Sequence, residues 1–258
     1  MIWVGVFIVL VLLLVFTYRS KYSTPMTKTV WMLWMQGWDS TPSLVKKVKD
    51  SWVKMNPGWT IQLVSKANLS DFIDASKIPW TASVQAQSDV IRIHLLEKYG
   101  GVWADSTLAC IAPLDSWLPE FDSIWMYRGG LVITHGKGPA SWFICAKKGS
   151  YSVHRWKEEV DKYWSNRKGT HNYFWLDSLW FQLYRTDKKF AQEWDSFDSP
   201  SANADGGPGM LALKVNGVSK AVREEFLKYK PPIVKLTMRG YDEKTPDTHA
   251  NYILDSIK

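Results

Sequence analysis

The chain has 258 residues, of which 46% are hydrophobic and 22% charged. This length suits one sizeable α/β domain, and the composition excludes an intrinsically disordered protein. The net charge of +7 favours anionic partners, but the basic residues are scattered, so we expect no nucleic-acid partner. The two cysteines, Cys110 and Cys145, have no zinc-binding spacing and form no disulfide framework, although a single bridge between them stays open.

Residues 1–18 are almost wholly apolar and predict a transmembrane anchor. A helix of this length spans roughly 25 Å, which is close to the thickness of a thin bilayer core. No small-residue cleavage site follows, which favours an uncleaved single-pass anchor over a removed signal peptide. We therefore expect contact with membrane lipid through this N-terminal helix, then a polar stem at residues 19–28 and a functional domain at residues 29–258.

The side of the membrane on which the domain lies is left open by the flanking charges. Arg19, Lys21 and Lys28 follow the apolar segment and nothing basic precedes it. By the positive-inside rule this pattern favours a domain that faces the cytoplasm. The alternative is the lumenal arrangement of a Golgi-type membrane protein, and both orientations stay open.

The residues after the stem predict a strand–helix–strand opening. An apolar run at residues 29–35 is typical of a strand, a helix opens at Thr41-Pro42, and residues 59–64 alternate as a second strand. Such an opening is typical of the first half of a parallel α/β sheet. The fold class is therefore predicted to be α/β, with a central, mostly parallel sheet.

The clearest helix is predicted at residues 81–99, with Val84 and Ile91 on its apolar face and Gly100 as its C-terminal stop. A short central strand follows at residues 101–105. The same reasoning predicts further strands at residues 123–126, 131–134, 142–146 and 233–237, and helices at residues 153–164, 173–184, 220–228 and 248–257.

A group of charged residues surrounds this helix–strand junction. Asp89 and Arg92 are three residues apart and hence on one helix face. Asp105 falls at the carboxyl end of a central strand, where open α/β sheets bind their ligands. A carboxylate there can hold a hard cation, and such a cation can neutralise a diphosphate. The alternative is an ordinary ion pair followed by an unrelated strand-end aspartate, and spacing alone does not separate the two interpretations.

The same stretch resembles the sugar-binding region of the DXD-containing glycosyltransferases. Their pattern is S-D-x-x-R, several apolar residues, and then Y-G-G-x-[YW]-x-D-x-D. Among these proteins the chain most resembles the capsular polysaccharide synthesis proteins, which are related to a mannosyltransferase-like family. The shared blocks are Trp31-x-x-Trp34-x-Gln36-Gly37, Trp52 with Asn56-Pro57, Gly100-Gly101-Val102-Trp103, Tyr173-Phe174-x-x-Asp177 and Lys235-Leu236-Thr237.

This resemblance implies a GT-A-like, Rossmann-type single domain with a donor site for a nucleotide sugar. Trp34 matches an aromatic residue that stacks on the nucleotide base. Asp89 and Arg92 match residues that bind the hydroxyl and phosphate groups of the donor. Trp103 matches an aromatic residue that lines the donor pocket, and Lys235 is predicted to contact the leaving diphosphate, although a solvated strand-end lysine is the alternative.

The resemblance also implies a divalent metal site. Asp105 matches the first aspartate of the DXD motif, but Thr107 stands where the second aspartate is expected. This departure removes one negative charge from the metal shell. Asp105 and Thr107 are predicted to hold Mn²⁺ or Mg²⁺ weakly, together with water and donor phosphates. His135 and His171 are further candidate metal ligands, for which a structural role is the alternative.

Asp177 is the second predicted catalytic residue besides Asp105. It lies on a predicted helix, and we expect it to face the reacting carbon, where it would stabilise an oxocarbenium-like transition state or orient the acceptor. A carboxylate on the helix surface is the alternative.

These expectations together predict a metal-dependent glycosyltransferase. It would move a hexose-type group from a UDP- or GDP-sugar to a saccharide or glycolipid acceptor in glycan biosynthesis. A non-catalytic, membrane-tethered carbohydrate-binding protein derived from such an enzyme is the alternative. A phosphohydrolase would need a nucleophile or a second metal cluster, and the sequence offers neither.

Overall fold

The computed structural model describes residues 25–129, 138–170, 172–202, 219–239, 241–242, 244–245 and 248–257. The predicted anchor at residues 1–18, most of the stem and the strand predicted at residues 131–134 lie outside these residues. Within the described ranges, no helix combines the length and the apolar character that crossing a membrane requires.

A five-stranded sheet forms the centre of the described fold. The strands in the described residues are β1 (Thr29–Leu33), β2 (Thr60–Val64), β3 (Gly101–Ala104), β4 (Leu108–Cys110), β5 (Ile124–Arg128), β6 (Pro139–Ala146) and β7 (Ile233–Lys235). Strands β2, β1 and β3 are parallel neighbours, whereas β6 is antiparallel to both β3 and β5. A separate antiparallel pair joins β4 and β7. The prediction of an α/β fold with a mostly parallel sheet is therefore confirmed, with β6 as the strand that makes it mixed.

The α-helices cover both faces of this sheet. The helices in the described residues are α1 (Ser43–Met55), α2 (Val84–Tyr99), α3 (Leu114–Trp117), α4 (Tyr151–Trp164), α5 (Trp175–Thr186), α6 (Lys188–Asp195), α7 (Lys220–Tyr229) and α8 (His249–Asp255). On one face α2 packs against α4, and α4 packs against α5 and α6. On the other face α1 packs against β4 and α8, and α7 packs against α8.

The central strands are apolar on both faces because each face is covered. Successive side chains of a strand point to opposite sides, so Val30 packs into one cluster and Trp31 into the other. Val102 and Trp103 divide between the same two clusters. This burial on both faces explains why the strands read as continuous apolar runs.

Helix α2 begins three residues later than predicted, at Val84 rather than at residue 81. The hydroxyl of Ser83 accepts a hydrogen bond from the N–H of Ala86 and so caps the helix. Val84 was expected on the buried face, and this expectation is wrong because its side chain is 46% exposed. Helix α1 begins at Ser43 with Pro42 as its N-cap, and the hydroxyl of Thr41 donates to the carbonyl of Trp38 and makes no cap hydrogen bond to the helix.

Three short elements were not predicted, namely β4, α3 and α6. Strand β4 has only three residues, which is too few for a periodic pattern. Helix α3 has four residues, and α6 follows α5 after a single residue, Asp187, that caps it. The two cysteines are free and buried, so no bridge joins them.

The junction between α2 and β3 depends on two glycines with positive φ. Gly100 has a φ of +69° and Gly101 a φ of +95°. A Cβ atom on Gly101 would lie 2.6 Å from the carbonyl oxygen of Thr29. The tight turn therefore permits β3 to pair with β1 directly after the helix.

We expect Gly101→Ala to lower the free energy of unfolding by at least about 2 kcal/mol, because backbone strain and a backbone clash add. Chemical denaturation measures this change. Gly58→Ala is the matched control, since a Cβ atom there meets nothing within 4 Å and no unusual φ is required. Equal losses in the two variants would contradict this account of the turn.

Candidate active site

Eight of the predicted site residues line one cleft at the carboxyl ends of β1 and β3. Its volume is about 720 Å³. Trp34 follows β1 directly, Asp105 follows β3, and α2 and α5 form the opposite wall. The predicted residues in the lining are Trp34, Asp89, Arg92, Trp103, Asp105, Thr107, Asp177 and Lys235.

Arg92 lies at the centre of the charged part of this cleft, with its side chain only 8% exposed. Its Nη2 atom is 3.0 Å from Oδ1 of Asp89 and 3.4 Å from Oδ1 of Asp105. Its Nη1 atom donates to the carbonyl of Ser141 at 2.7 Å. The guanidinium also lies 5.1 Å from the ring centroid of Trp103. The helix face of α2 and the end of β3 therefore share one buried cation.

Asp105 accepts hydrogen bonds on both carboxylate oxygens. The indole N–H of Trp103 donates to Oδ1 at 3.0 Å, and Nζ of Lys235 lies 2.9 Å from Oδ2. Trp103 is almost completely buried, so it forms the floor of the cleft and orients Asp105. The backbone N–H of Asp105 donates to the carbonyl of Trp142 at 3.0 Å, which fixes the residue against β6.

The antiparallel pairing of β4 with β7 brings Lys235 to this carboxylate. Lys235 of β7 pairs with Leu108 of β4, which is the residue directly after Thr107. Its Nζ atom donates to the hydroxyl of Thr107 at 2.6 Å as well as to Asp105. The ammonium of Lys235 therefore lies between the two residues that were predicted to bind a metal.

The two carboxylates beside Arg92 have different pKa values. Burial alone would raise the pKa of Asp105, but Lys235 and Arg92 outweigh it and hold the pKa below its usual range. Burial raises the pKa of Asp89 to about 6, and the ionised Asp105 adds to this effect while Arg92 opposes it. The lowered pKa thus favours the ionised form of Asp105, whereas Asp89 gains a proton in mildly acidic solution.

Asp177 lies in the first turn of α5, on the opposite wall of the cleft. Burial raises its pKa to about 7, and the neighbouring charge of Asp89 contributes in the same direction. Its carboxyl group can therefore accept or release a proton near neutral pH, which is the property required of a general acid or base.

The residues present do not fit a divalent metal in this arrangement. Within the described part of the chain, no three His, Cys, Asp or Glu side chains are grouped so that they could hold a metal ion. Both predicted ligands, Asp105 and Thr107, are instead bonded to Lys235. A doubly charged ion 4 Å from that ammonium would be repelled by about 8 kcal/mol at an effective dielectric constant of about 20. The two histidines considered as further ligands, His135 and His171, lie outside the described residues.

Part of the cleft was not assigned from the sequence. The beginning of β6 lines it, and so do two aromatic residues at its mouth, Tyr173 and Phe174, which are 73% and 40% exposed. The aromatic pair belongs to a shared sequence block, so that block was the available signal. The contribution of β6 depends on its antiparallel pairing with β3, which no local pattern indicates.

Comparison with known proteins identifies the family. The model of a family described as "Capsular polysaccharide synthesis protein" matches residues 12–253, which is most of the chain. The chain belongs to the capsular polysaccharide synthesis protein family. The resemblance inferred from the sequence blocks is therefore confirmed.

Several curated relatives are glycosyltransferases by name. The chain is 27% identical to an O-glycosyltransferase of Annulohypoxylon truncatum over 60% of its length and 42% of the relative. It is 28% identical to a glycosyltransferase of Aspergillus fumigatus, over 54% of its length and 41% of the relative. It is 26% identical to the initiation-specific alpha-1,6-mannosyltransferase of Saccharomyces cerevisiae, over 43% of its length and 25% of the relative. The matches thus span less than half the length of these relatives.

One solved structure to which the fold is similar is described as PaToxG glycosyltransferase. It covers 85% of this chain and 93% of its own, with a TM-score of 0.47 and 17% sequence identity.

The pKa of Asp177 leads to a prediction about stability. Because its pKa is raised on folding, its contribution to stability is complete below about pH 4 and is lost as the pH rises to about 7. We expect Asp177→Asn to increase the free energy of unfolding at pH 8 by on the order of 1–3 kcal/mol, with a smaller gain at pH 5. Thermal or chemical denaturation at the two pH values measures the difference.

Asp161 provides the matched control with the opposite sign. Although burial opposes it, hydrogen bonds from His94 and Lys157 lower the pKa of Asp161 to about 2. Asp161→Asn should therefore destabilise the protein at both pH values. An Asp177→Asn variant that is less stable than the parent at pH 8 would contradict the assigned environment.

Proposed function

We propose that the chain is a glycosyltransferase that moves a sugar from a nucleotide-diphosphate sugar to a saccharide or glycolipid acceptor. One observation supports this most strongly: the buried guanidinium of Arg92 and the partly buried ammonium of Lys235 flank the same carboxylate of Asp105 inside the cleft. The names of the curated relatives support the same reaction class.

In this proposal the donor lies across the end of the central sheet. Trp34 stacks on the base, because an indole ring offers a flat apolar face. Arg92 and Lys235 donate hydrogen bonds to the diphosphate, and such charge-assisted bonds are the stronger kind. Asp89, which Arg92 holds in place at 3.0 Å, accepts hydrogen bonds from hydroxyl groups of the sugar.

The transfer step exchanges one bond at the anomeric carbon for another. The bond from this carbon to the diphosphate oxygen breaks, and its electron pair leaves with the diphosphate. The acceptor oxygen forms the new bond to the same carbon, and its proton passes to the carboxylate of Asp177. While the sugar is positively charged, the ionised Asp177 also stabilises it, which is the role predicted for an oxocarbenium-like transition state.

The acceptor would enter past the exposed rings of Tyr173 and Phe174. Aromatic rings suit the C–H faces of sugars as well as apolar chains, so both predicted acceptor classes are compatible with this mouth. An anchor at residues 1–18 would keep the domain close to a lipid-linked acceptor, and this membrane contact also belongs to the proposal. No step described above depends on the Mn²⁺ or Mg²⁺ that the resemblance implies.

The alternative function, a carbohydrate-binding protein without turnover, makes a different prediction for Asp177. It requires binding of a sugar or nucleotide sugar but no proton transfer, and hence no carboxyl group with a pKa near 7. The raised pKa of Asp177 on the wall of the cleft favours the enzyme.

We expect Asp177→Asn to lower the turnover number for a nucleotide sugar by about 10²–10⁴-fold, the usual loss when a general acid or base is removed. UDP- and GDP-sugars would first be screened by thermal shift, because a bound donor raises the apparent stability. Release of UDP or GDP, with water or an added saccharide as acceptor, then measures turnover.

Asp50→Asn is the control, since this carboxylate is exposed on α1 and lies outside the cleft lining. Binding of the donor should persist in both variants. A parent protein that binds donors without ever releasing the nucleotide would favour the binding protein over the enzyme.

A further inference from the structure

The ammonium of Lys235 occupies the place where a motif with two carboxylates would hold a divalent cation. Its Nζ atom is 2.9 Å from Oδ2 of Asp105 and 2.6 Å from Oγ1 of Thr107. Its side chain is only 21% exposed, as is appropriate for a group inside the cleft. One ammonium therefore bridges the first and last residues of the Asp-Ser-Thr segment.

The charges agree with this replacement. A doubly charged ion on two carboxylates gives a net charge of zero. In this chain the second carboxylate is replaced by the neutral hydroxyl of Thr107, and one lysine charge on one carboxylate again gives zero. The ammonium of Lys235 therefore already balances the charge of Asp105 beside Thr107, whereas a metal ion added to these three side chains would leave the site strongly positive.

We infer that Lys235 acts as a built-in cation, so that this cleft binds the diphosphate of its donor without a divalent metal. The inference rests on the proposed function and specifies how its donor is held. An ammonium has three N–H donors. Two of them bond to Asp105 and Thr107, and the third is left for a diphosphate oxygen. Arg92, on the other side of Asp105 at 3.4 Å, supplies the second positive charge.

The same arrangement supports departure of the nucleotide. When the bond between the anomeric carbon and the diphosphate oxygen breaks, the electron pair remains on the diphosphate. The fixed ammonium of Lys235 stabilises this charge in place of a metal ion. The step needs no further reactant, since the acceptor hydroxyl provides the new oxygen and Asp177 receives the proton.

The experiment is titration calorimetry of UDP and of GDP against the whole chain, first in EDTA and then with Mn²⁺. We expect at least one nucleotide to bind in EDTA, with a dissociation constant that Mn²⁺ changes by less than about threefold. Lys235→Met should weaken that binding by about 10- to 100-fold in EDTA, the loss typical of one hydrogen bond to a charged group.

The variant has a second, reciprocal readout. Once Lys235 is removed, Asp105 and Thr107 are free to bind a cation, so Mn²⁺ should restore part of the affinity of Lys235→Met for the same nucleotide. Lys28→Met is the matched control, because Lys28 forms a comparable ion pair with Asp115 at 2.8 Å but lies on the exposed surface. It should behave like the parent in both buffers.

The possible failures are distinguishable. If the parent chain binds UDP or GDP with Mn²⁺ but not in EDTA, the inference that Lys235 replaces the metal is wrong, while the proposed function stands. If neither nucleotide binds in either buffer, the proposed function fails and this inference fails with it. Both results come from the parent chain, so they do not depend on how well the lysine variant folds.

Discussion

The arrangement of the cleft depends on the buried ion pair network around Arg92 and Asp105. A buried charge is strongly destabilising unless it is paired and hydrogen-bonded. The two Nη atoms of Arg92 meet this condition through Asp89, Asp105 and the carbonyl of Ser141, while its buried Nε atom has no hydrogen-bond partner among the described residues. These partners come from α2, from the end of β3 and from β6. The network therefore fixes three elements of the fold relative to one another at the point where the ligand is proposed to bind.

The fold around this network explains why one cleft can be both charged and rigid. Strand β3 is central, so the residue that follows it cannot move without disturbing β1 and β6. The indole N–H of Trp103 further restricts the carboxylate of Asp105, because it donates a hydrogen bond to Oδ1. Preorganised charges of this kind stabilise a developing negative charge without reorganisation during the reaction. Asp177 lies on a separate helix, and its different pKa gives the cleft one group that can exchange a proton.

Much of the charged part of the site could be predicted from local sequence. Asp89 and Arg92 are three residues apart on one helix, and Asp105 follows an apolar strand. Helix geometry and strand direction made a shared site possible, and the resemblance to the family decided in its favour. Family blocks added Trp34, Asp177 and Lys235 to the prediction. All of these residues line the same cleft, although their individual roles are proposals.

What could not be predicted depends on contacts between distant parts of the chain. The bond between Lys235 and Thr107 joins residues 128 positions apart, through the pairing of two strands with three residues each. Strands this short leave no periodic signal in the sequence. The prediction that Val84 is buried was wrong for a related reason. The Ser83 cap sets the start of α2 at Val84, and the first turn of the helix then faces the mouth of the cleft. The metal prediction was carried over from the motif of the family, whereas the contact of Lys235 with Asp105 and Thr107 depends on the pairing of β4 with β7.

Membership of the capsular polysaccharide synthesis protein family and the geometry of the cleft lead to the same account, in which the end of the central sheet receives a nucleotide diphosphate. A crystal structure of the chain soaked with UDP or GDP tests this most directly. We expect density for the base against Trp34 and for the diphosphate in contact with Nζ of Lys235. A nucleotide bound elsewhere on the surface, with this cleft empty, would contradict the account.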